Sequence, residues 1–199
     1  MKKNNKKQEI VNAYAKVIEK YGLEGASLSE VAKEMGSNQS LIFHYFENKE
    51  DLTIQLTEDV VQRCLRSYDK AWPKEGDLSP AAFESFVSYV LEVHYNRRRS
   101  LNPKLYFALI YLMPRQKIVQ KKFIHLADVL VEKVAAQLIA FQEAGVIHTA
   151  DCVMSARTLL CLADGILCYD PLTPKEERTA FIAAQRELYF SSVGYSRES

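Results

Sequence analysis

The sequence predicts an all-α protein of about nine helices. Apolar residues recur at intervals of three and four along most of the chain, and no segment shows the sustained alternation of a half-buried strand. Serine, threonine or asparagine, in three places followed by proline, marks the predicted helix starts, and glycine marks several of the ends. At 199 residues the chain has room for a small N-terminal domain, predicted over 1–48, and a larger helical domain over 49–199.

The first two helices have clear start and stop signals. Helix one is predicted over 8–21, where apolar residues form one stripe, and it ends at Gly22. Helix two begins with a capping box, in which Ser27 caps the backbone and Glu30 reaches back. Gly36 follows its apolar face directly, where a residue that accepts a positive φ ends a helix well.

Helix three completes a helix-turn-helix motif. Asn38 is a good cap for it, and its inward residues are predicted to be Ile42 and Phe46, one turn apart. Its more outward positions carry Gln39, Ser40, Leu41, Phe43 and Tyr45. Two helices, a short turn with glycine and a polar, partly aromatic second helix indicate a motif whose second helix fits the major groove of DNA.

Six further helices are predicted behind this motif. Asn48 caps helix four, and the pairs Ser79-Pro80 and Asn102-Pro103 start helices five and six. The segment Thr173-Pro174-Lys175-Glu176 predicts a capping box with proline in the first turn of helix nine. The predicted ranges of the six are 49–70, from 80 onward, 103–114, 116–144, 149–169 and 174–190, with a frayed segment after 190.

The composition fits a soluble globular protein and excludes a uniformly basic one. Hydrophobic residues make up 48% of the chain, charged residues 26%, and the net charge is +1. No apolar run is predicted to cross a bilayer and no apolar core follows the basic start, so we expect a cytoplasmic protein without a membrane partner.

Positive charge is concentrated in two stretches that contain no acid. The first consists of Lys2, Lys3, Lys6 and Lys7, and the second, over 97–122, of Arg97, Arg98, Arg99, Lys104, Arg115, Lys117, Lys121 and Lys122. Both stretches are open to two interpretations, a solvated surface or a ligand contact. As ligand contacts, the first is predicted to reach phosphates or a minor groove as a flexible arm. In the second, Arg97, Arg98 and Arg99 are predicted either to attract DNA or to bind an anionic effector.

The cysteines and the other reactive residues predict no catalysis. The four cysteines, Cys64, Cys152, Cys161 and Cys168, form no CxxC pair, and no histidine stands at zinc-finger spacing from them, so we expect no metal and no cofactor. Buried, reduced thiols are the expected state, with a redox switch at Cys161 and Cys168 as the alternative, since these two share a helix face. No nucleophile–base pair or phosphate-binding glycine loop indicates an enzyme.

Residues 8–52 resemble the N-terminal DNA-binding domain of the TetR family of bacterial transcriptional repressors. A first helix ending in Tyr-Gly, then a small hydroxylated cap, Val-Ala, Gly and IFHYFENKEDL, is similar to the family signature nearly from end to end. The resemblance implies a homodimer with one such domain per subunit. It also implies an effector pocket enclosed by helices five to eight, and a four-helix interface built from helices eight and nine of both subunits.

The resemblance also implies roles for individual residues. Base contacts fall to Gln39, Ser40 and Leu41, and phosphate contacts or their support to Ser27, Asn38, Phe43, Tyr45 and Lys49. His44, between two of these residues, is a further candidate for a contact with the DNA backbone. Glutamine pairs bidentately with adenine, and a lysine at a helix start suits a phosphate oxygen. Leu41 and Phe43 depart from the family, which has hydroxyl side chains there, so only apolar contact is left. The alternative is that Phe43 and Tyr45 pack the small domain and that His44 has no role.

The predicted effector pocket and dimer interface lie in the second domain. The pocket set is Tyr89, His94, Phe107, Tyr111, Phe123 and Phe141, and the interface set is Leu159, Leu162, Ala163, Ile166, Phe181 and Leu188. Aromatic walls suit a mostly apolar or planar ligand, although a helical core needs the same residues. Asp164 is predicted to be a buried carboxylate at a helix seam, beside Gly165.

The sequence therefore predicts a ligand-responsive transcriptional regulator, a repressor in this interpretation. It would bind double-stranded palindromic operator DNA as a homodimer and be released by a small-molecule effector. The alternative is an interaction protein of the same fold that acts on a protein partner and uses DNA as a platform. A filled core without a cavity between helices five and eight would favour that alternative.

Overall fold

The computed structural model describes residues 2–74, 76–93 and 102–196. In these ranges it contains nine α-helices, one 3-10 turn and no strand, so the all-α prediction is confirmed. The helices are α1 (Lys2–Gly25), α2 (Leu28–Glu34), α3 (Gln39–Phe43), α4 (Lys49–Tyr68), α5 (Pro80–Glu92), α6 (Pro103–Leu112), α7 (Lys117–Glu143), α8 (Cys152–Tyr169) and α9 (Arg178–Ser192). The 3-10 turn, Asp170–Leu172, follows α8.

Helix α1 is longer at both ends than predicted. It begins at Lys2, so Lys6 and Lys7 belong to a helix and the prediction of a flexible arm at these positions is wrong. Gly22 has φ 74° and ψ 174°, which breaks the helix where the sequence predicted its end, and the chain resumes a helical turn to Gly25. A left-handed φ suits glycine because it has no Cβ to clash with the neighbouring carbonyl.

Helix α8 has a different cap from the predicted one. The Asp151 carboxylate accepts hydrogen bonds from the backbone N–H groups of Val153 and Met154, at 2.8 and 3.0 Å. Thr149 was predicted in this role, but its hydroxyl pairs with the Ser155 hydroxyl at 2.7 Å. An ionised carboxylate that bonds two of the exposed N–H groups at a helix start is a stronger cap than a hydroxyl.

The start of α9 also differs from the prediction. The helix begins at Arg178, and no side chain caps it. The predicted capping box at Thr173 is wrong, because the Thr173 hydroxyl donates back to the Tyr169 carbonyl at 2.9 Å. Arg178 forms an ion pair with Asp170 at 3.2 Å and donates to the Thr173 carbonyl. These bonds hold 173–177 as a turn outside the helix.

The segment after Phe190 is packed rather than frayed. Val193 is fully buried, and Tyr195 is 9% exposed. The Tyr195 hydroxyl donates to the Glu84 carboxylate at 2.9 Å, which ties this segment to α5. The prediction of fraying therefore fails for the described residues up to 196.

Packing divides the chain into two compact units. Unit one is Met1–Arg63 with Leu101–His125, and unit two is Cys64–Ser100 with Leu126–Ser199. Helices α4 and α7 each contribute residues to both units. This division differs from the predicted boundary after residue 48, because Leu52 and Leu56 of α4 are fully buried and α6 packs against α1. A functional boundary at residue 48 stays a prediction.

A buried polar link in unit one joins α1 to the start of α4. Tyr14 is fully buried, and its hydroxyl lies 3.0 Å from the Thr53 hydroxyl. Thr53 uses its single proton to donate to the Lys49 carbonyl at 2.7 Å, so Tyr14 is the donor to Thr53. Burial raises the pKa of the Tyr14 hydroxyl, which keeps the proton on the phenol. The link therefore fixes α4 where it follows the helix-turn-helix.

Aromatic packing forms the core of unit two. Phe83 lies 5.2 Å from Phe141 and 5.6 Å from Phe190, measured between ring centroids, and Phe86 lies 6.0 Å from Phe141. All four rings are at most 2% exposed. Each such ring buries a large apolar area, so this cluster holds α5, α7 and α9 together.

Helix α8 is the most apolar long helix of the described chain. The span Cys152–Leu172 has a mean hydropathy of 1.4 over its most apolar window and is long enough to cross a bilayer, so the prediction that no run reaches this length is wrong. Buried core helices meet the same criterion. Here α8 packs against α5 and α9, while only 28% of that window is buried. Much of its apolar surface is therefore accessible.

Candidate nucleic-acid interface

The start of α2 is capped on one side only. Ser27 Oγ accepts the Glu30 backbone N–H at 3.2 Å, as predicted. The Ser27 N–H itself donates to the Gly25 carbonyl at 3.0 Å, so Glu30 does not reach back and the capping box is half formed. The Glu30 carboxylate lies 3.8 Å from the Lys33 ammonium instead.

The turn between α2 and α3 has a Schellman C-cap. Gly36 has φ 60°, its N–H donates to the Lys33 carbonyl at 3.0 Å, and the Ser37 N–H donates to the Ala32 carbonyl at 2.9 Å. A side chain at Gly36 would be strained by this φ, which explains why glycine stands there. The turn is thus fixed by backbone bonds, as the sequence predicted from the glycine.

Helix α3 presents one face to solvent and one to the core. Asn38 Oδ1 accepts the Leu41 N–H at 3.1 Å, which confirms the predicted cap. Ile42 and Phe46 are at most 2% exposed. Helix α3 ends at Phe43, so the prediction that Phe46 lies one turn on within this helix is wrong, and Phe46 packs from the segment that follows it. The exposed residues are Gln39, Ser40, Phe43 and His44. Their spacing places them on the side opposite the two buried residues, so the polar and aromatic face of α3 is accessible.

The exposure of Phe43 and Tyr45 shows whether these rings pack the small domain or are accessible to DNA. Phe43 is 52% exposed, so it does not pack the domain as the alternative proposed. Tyr45 is half-buried and meets the exposed His44 edge-on, with ring centroids 4.9 Å apart. Leu41 is also half-buried. Tyr45 and Leu41 therefore combine some packing with some accessible surface.

Lys49 has a structural partner that the sequence did not reveal. Its ammonium donates to the Leu23 carbonyl at 3.1 Å, next to the break in α1, and desolvation lowers the pKa of this lysine. An ammonium has three donors, so two are left for a phosphate. The start of α4 is capped as predicted, because Asn48 Oδ1 accepts the Asp51 N–H at 2.9 Å.

Lys7 adds positive charge beside the segment that follows α3. Its ammonium lies 5.4 Å from the centroid of the Phe46 ring, a cation–π distance. Lys6 is paired with Glu9 on the same helix. The side chains of Lys2 and Lys3 lie outside the described residues. The part of the first basic stretch that the structure describes is therefore helical and close to α3.

The second basic stretch belongs partly to the same unit. Lys104, Arg115, Lys117, Lys121 and Lys122 lie in unit one, whereas 97–99 lie outside the described residues. Arg115 stacks over the Tyr111 ring at 4.1 Å, and Lys122 is paired with Glu58. Two of these cations thus have partners in the described chain that the sequence did not predict.

The predicted pocket residues do not come together in one unit. Phe107, Tyr111 and Phe123 lie in unit one, Tyr89 and Phe141 lie in unit two, and His94 lies outside the described residues. Tyr111 is 50% exposed. The set as a lining of one effector site stays a prediction.

Two members of the set have core roles instead. Phe141 is fully buried between Phe83 and Phe86, so its assignment to a pocket wall is corrected to the core of unit two. Tyr89 is half-buried, and its hydroxyl donates to the Ser67 carbonyl at 3.1 Å. No signal in the sequence makes this distinction, because a core and an apolar pocket use the same residue types.

The predicted interface set also divides by burial. Leu159, Ala163 and Ile166 are at most 2% exposed inside the subunit, so they have no surface for a partner and their assignment is corrected to the core. Leu188 is 63% exposed, and Leu162 and Phe181 are partly accessible. Three of the six residues therefore keep the accessibility that an interface needs.

Asp164 and Gly165 differ from the prediction as well. Asp164 is exposed rather than buried, so it carries no desolvation problem. A Cβ placed at Gly165 would meet no atom within 4 Å, so no helix of this subunit approaches closely there. The missing side chain leaves open space on α8.

The cysteines are of two kinds. Cys64 and Cys152 are buried, as predicted, and burial raises the pKa of the Cys64 thiol to about 12. Cys161 and Cys168 are exposed, which corrects the expectation that all four are buried. Their redox activity stays an untested alternative.

A capped helix pair joined by a fixed glycine turn, with a polar and aromatic face exposed on its second helix, has the geometry of a helix-turn-helix motif. Residues 10–56 match the family described as bacterial regulatory proteins, tetR family. This segment is therefore similar to the DNA-binding domain of TetR-family regulators, and the match covers about a quarter of the chain.

One curated relative is similar over part of the chain, and solved structures are similar in fold. The HTH-type transcriptional regulator BetI of Vibrio vulnificus is 33% identical over 58 residues, which is 29% of this chain and 29% of BetI. A TetR transcription regulator from Haloarcula marismortui has a similar fold, with a TM-score of 0.78, 17% identity and coverage of 96% of this chain and 98% of that one. A transcriptional regulator from Rhodococcus sp. Rha1 gives a TM-score of 0.72, 20% identity and coverage of 96% and 99%.

Proposed function

We propose that this protein is a transcriptional repressor that binds a palindromic operator as a homodimer and is released by a small-molecule effector. The observation that carries the proposal is the exposed face of α3, with Gln39, Ser40 and Phe43 in solvent while Ile42 and Phe46 anchor the helix. Side chains that the fold does not need are available to read DNA.

The side chains of this face suit the major groove. The Gln39 amide forms a bidentate pair with an adenine, and the accessible part of Leu41 contacts a thymine methyl. Phe43 packs against the sugar–phosphate backbone, since it has no hydroxyl for a hydrogen bond. Ser27 and Asn38 use their oxygens as helix caps, which leaves the Ser27 hydroxyl proton and the Asn38 amide N–H groups for phosphates.

Lys49 is the proposed phosphate anchor. Its bond to the Leu23 carbonyl positions the ammonium, and its two other donors face a phosphate oxygen beside the N-terminus of α4. His44 and Tyr45 support the same backbone contact. The tie from Tyr14 through Thr53 to the Lys49 carbonyl means that a shift of α4 moves this anchor together with α1.

The accessible surface of α8, α9 and the 3-10 turn after α8 is the proposed dimer interface. Its apolar members are Met154 (59% exposed), Tyr169 (58%), Leu172 (75%) and Leu188 (63%), together with the partly accessible Leu162 and Phe181. Open space at Gly165 lets a partner helix approach closely. An exposed apolar area of this kind marks an association surface. As a regulator of DNA, the protein is expected in the cytoplasm.

The proposed release of the protein from its operator depends on the spacing of the two α3 helices in a dimer. They must reach successive major grooves, about 34–36 Å apart. An effector that binds more tightly to a conformer with another spacing shifts the population away from the DNA-binding state. The effector is expected to be mostly apolar or planar, from the aromatic residues of helices α5 to α7.

A salt titration of DNA binding tests this function. Fluorescence anisotropy with a fragment of the protein's own promoter region should show specific binding that weakens linearly in log affinity against log salt, because phosphate contacts release counterions. Sedimentation of the free protein should give a dimer. A monomer, or equal affinity for promoter and unrelated DNA at every salt concentration, would contradict the proposal.

A further inference from the structure

A cleft of about 280 Å³ lies in unit one, between α4 and the first turns of α7. It is lined by Glu58, Val61, Ile118, Lys121, Lys122 and His125. None of these residues belongs to the predicted effector pocket. The volume is near the lower end of the range for ligand pockets, which suits a small ligand.

The cleft combines an apolar floor with an excess of positive charge. Val61 is 1% exposed and Ile118 is 47% exposed, so one forms a floor and the other a flank. The Lys122 ammonium is paired with one Glu58 carboxylate oxygen, and Gln62 donates to the other at 3.1 Å. No described carboxylate lies within ion-pair distance of Lys121, so the cleft has one cation more than its single acid can neutralise.

We propose that this cleft binds a small organic carboxylate with an apolar body, as an effector of DNA binding. The ligand carboxylate contacts Lys121 and competes with Glu58 for Lys122, and the body covers Val61 and Ile118. A phosphate dianion fits less well, because the cleft offers no arginine fork and two of its six lining residues, Val61 and Ile118, are apolar.

The effect on DNA rests on the proposed function. Within unit one, the Glu58–Lys122 pair links α4 to α7, and α4 begins at Lys49, directly after the helix-turn-helix. A carboxylate that takes Lys122 from Glu58 removes this link. A shift of α4 relative to the first turns of α7 then costs less free energy, so the conformer that does not bind the operator becomes more populated and operator affinity falls.

Calorimetric titration of the full-length protein without DNA tests the binding step. The probes are benzoate, its neutral counterpart benzyl alcohol, and inorganic phosphate. Benzoate should bind, and the other two should bind at least about tenfold more weakly. No heat from benzoate at millimolar concentration, or equal binding of benzyl alcohol or phosphate, would overturn the proposal.

Charge variants distinguish a binding role from a structural one. Lys122→Gln should weaken benzoate binding about tenfold, whereas Glu58→Gln should tighten it severalfold because the competing carboxylate is gone. The matched control is Lys133→Gln, which breaks another ion pair between a lysine of α7 and an acid near the end of α4, Lys133 with Asp69 at 2.7 Å in unit two. It should leave benzoate binding unchanged. Equal effects of Lys122→Gln and Lys133→Gln, or weaker binding in Glu58→Gln, would overturn the proposal.

Anisotropy with promoter DNA tests the effector role. Benzoate should weaken specific binding by the wild type and leave Lys122→Gln unaffected. Benzoate that binds in calorimetry but does not change DNA affinity would refute the effector role. Absence of specific DNA binding in the ligand-free wild type would instead contradict the proposed function, and the calorimetric result would still decide whether the cleft binds a carboxylate.

Discussion

The exposed face of α3 and the aromatic cluster of unit two show how differently residue type relates to function. Both regions are rich in residues that the sequence singled out. On α3, Gln39 and Phe43 are exposed, and the core would be complete without them. In unit two, Phe141 is fully buried and the core needs it. Residue type therefore indicates function only where burial does not already explain it.

The strongest test of this contrast is Phe141→Ala. Removing a fully buried ring from the cluster should lower the free energy of unfolding by about 3–5 kcal/mol. Denaturant titration measures it, and Ile139→Ala is the control, since Ile139 is on the same helix and 44% exposed. The control should change stability by no more than about 0.5 kcal/mol. Equal losses in the two variants would refute the assignment of Phe141 to the core.

Gln39→Ala tests the opposite region. Loss of one bidentate base contact should weaken specific DNA binding by about 1–3 kcal/mol, while stability stays unchanged because the side chain is solvent-exposed. Anisotropy with the promoter fragment and thermal unfolding measure the two effects. Gln120→Ala, at an exposed position of α7, is the matched control and should bind like the wild type. A variant that is less stable but binds DNA as tightly as the wild type would show that Gln39 stabilises the fold and does not contact DNA.

Asp151→Ala tests the cap of α8, which the sequence misplaced. Its carboxylate bonds two backbone N–H groups, so its removal should cost about 1 kcal/mol of stability. Thr149→Ala should cost less, because it leaves those N–H groups capped. Chemical denaturation of both variants provides the comparison. A larger loss for Thr149→Ala would restore the cap that the sequence predicted.

The smallest expected effect concerns the Glu58–Lys122 pair. The hydrogen bond from Lys122, and then that from Gln62, holds the pKa of the Glu58 carboxyl below its usual value. Since the folded-state pKa is the lower one, the pair stabilises the protein above the ordinary carboxyl pKa, and this contribution is lost as pH falls through the folded-state pKa.

Glu58 is 40% exposed, so solvent screening limits the gain to less than about 1 kcal/mol. Melting temperatures of the wild type and of Glu58→Gln, measured from neutral pH down to below the folded-state pKa of Glu58, check the expectation. The difference should shrink toward acid, and a difference that grows there would contradict it.

The sequence predicted the helix-turn-helix well because its signals are local. A glycine with positive φ at Gly36 and caps at Ser27, Asn38 and Asn48 act within a few residues, so spacing alone reveals them. The family resemblance identified the same segment. The bond from Lys49 to Leu23 was not predictable, because it joins residues 26 apart through a fold that spacing does not describe.

Unit two was harder to predict because its determinants are distant in sequence. The threonine and proline at 173–174 have the local pattern of a helix start, but Arg178 and Asp170 hold that segment as a turn. Likewise, Leu159 is apolar enough for an interface, and only the packing of α8 shows that it is buried. The helical period shows which residues share one face of a helix, but it does not show which other helix or subunit covers that face.

The most direct test of the central proposal, that the exposed face of α3 reads DNA, is a double-mutant cycle between Gln39 and single adenines of the operator. Each adenine is replaced in turn by 7-deazaadenine, which lacks the N7 acceptor, and the affinity of wild type and Gln39→Ala is measured for each duplex. At one position per half-site the two losses should fail to add, with a coupling of about 1–3 kcal/mol. Full additivity at every adenine would contradict the proposal.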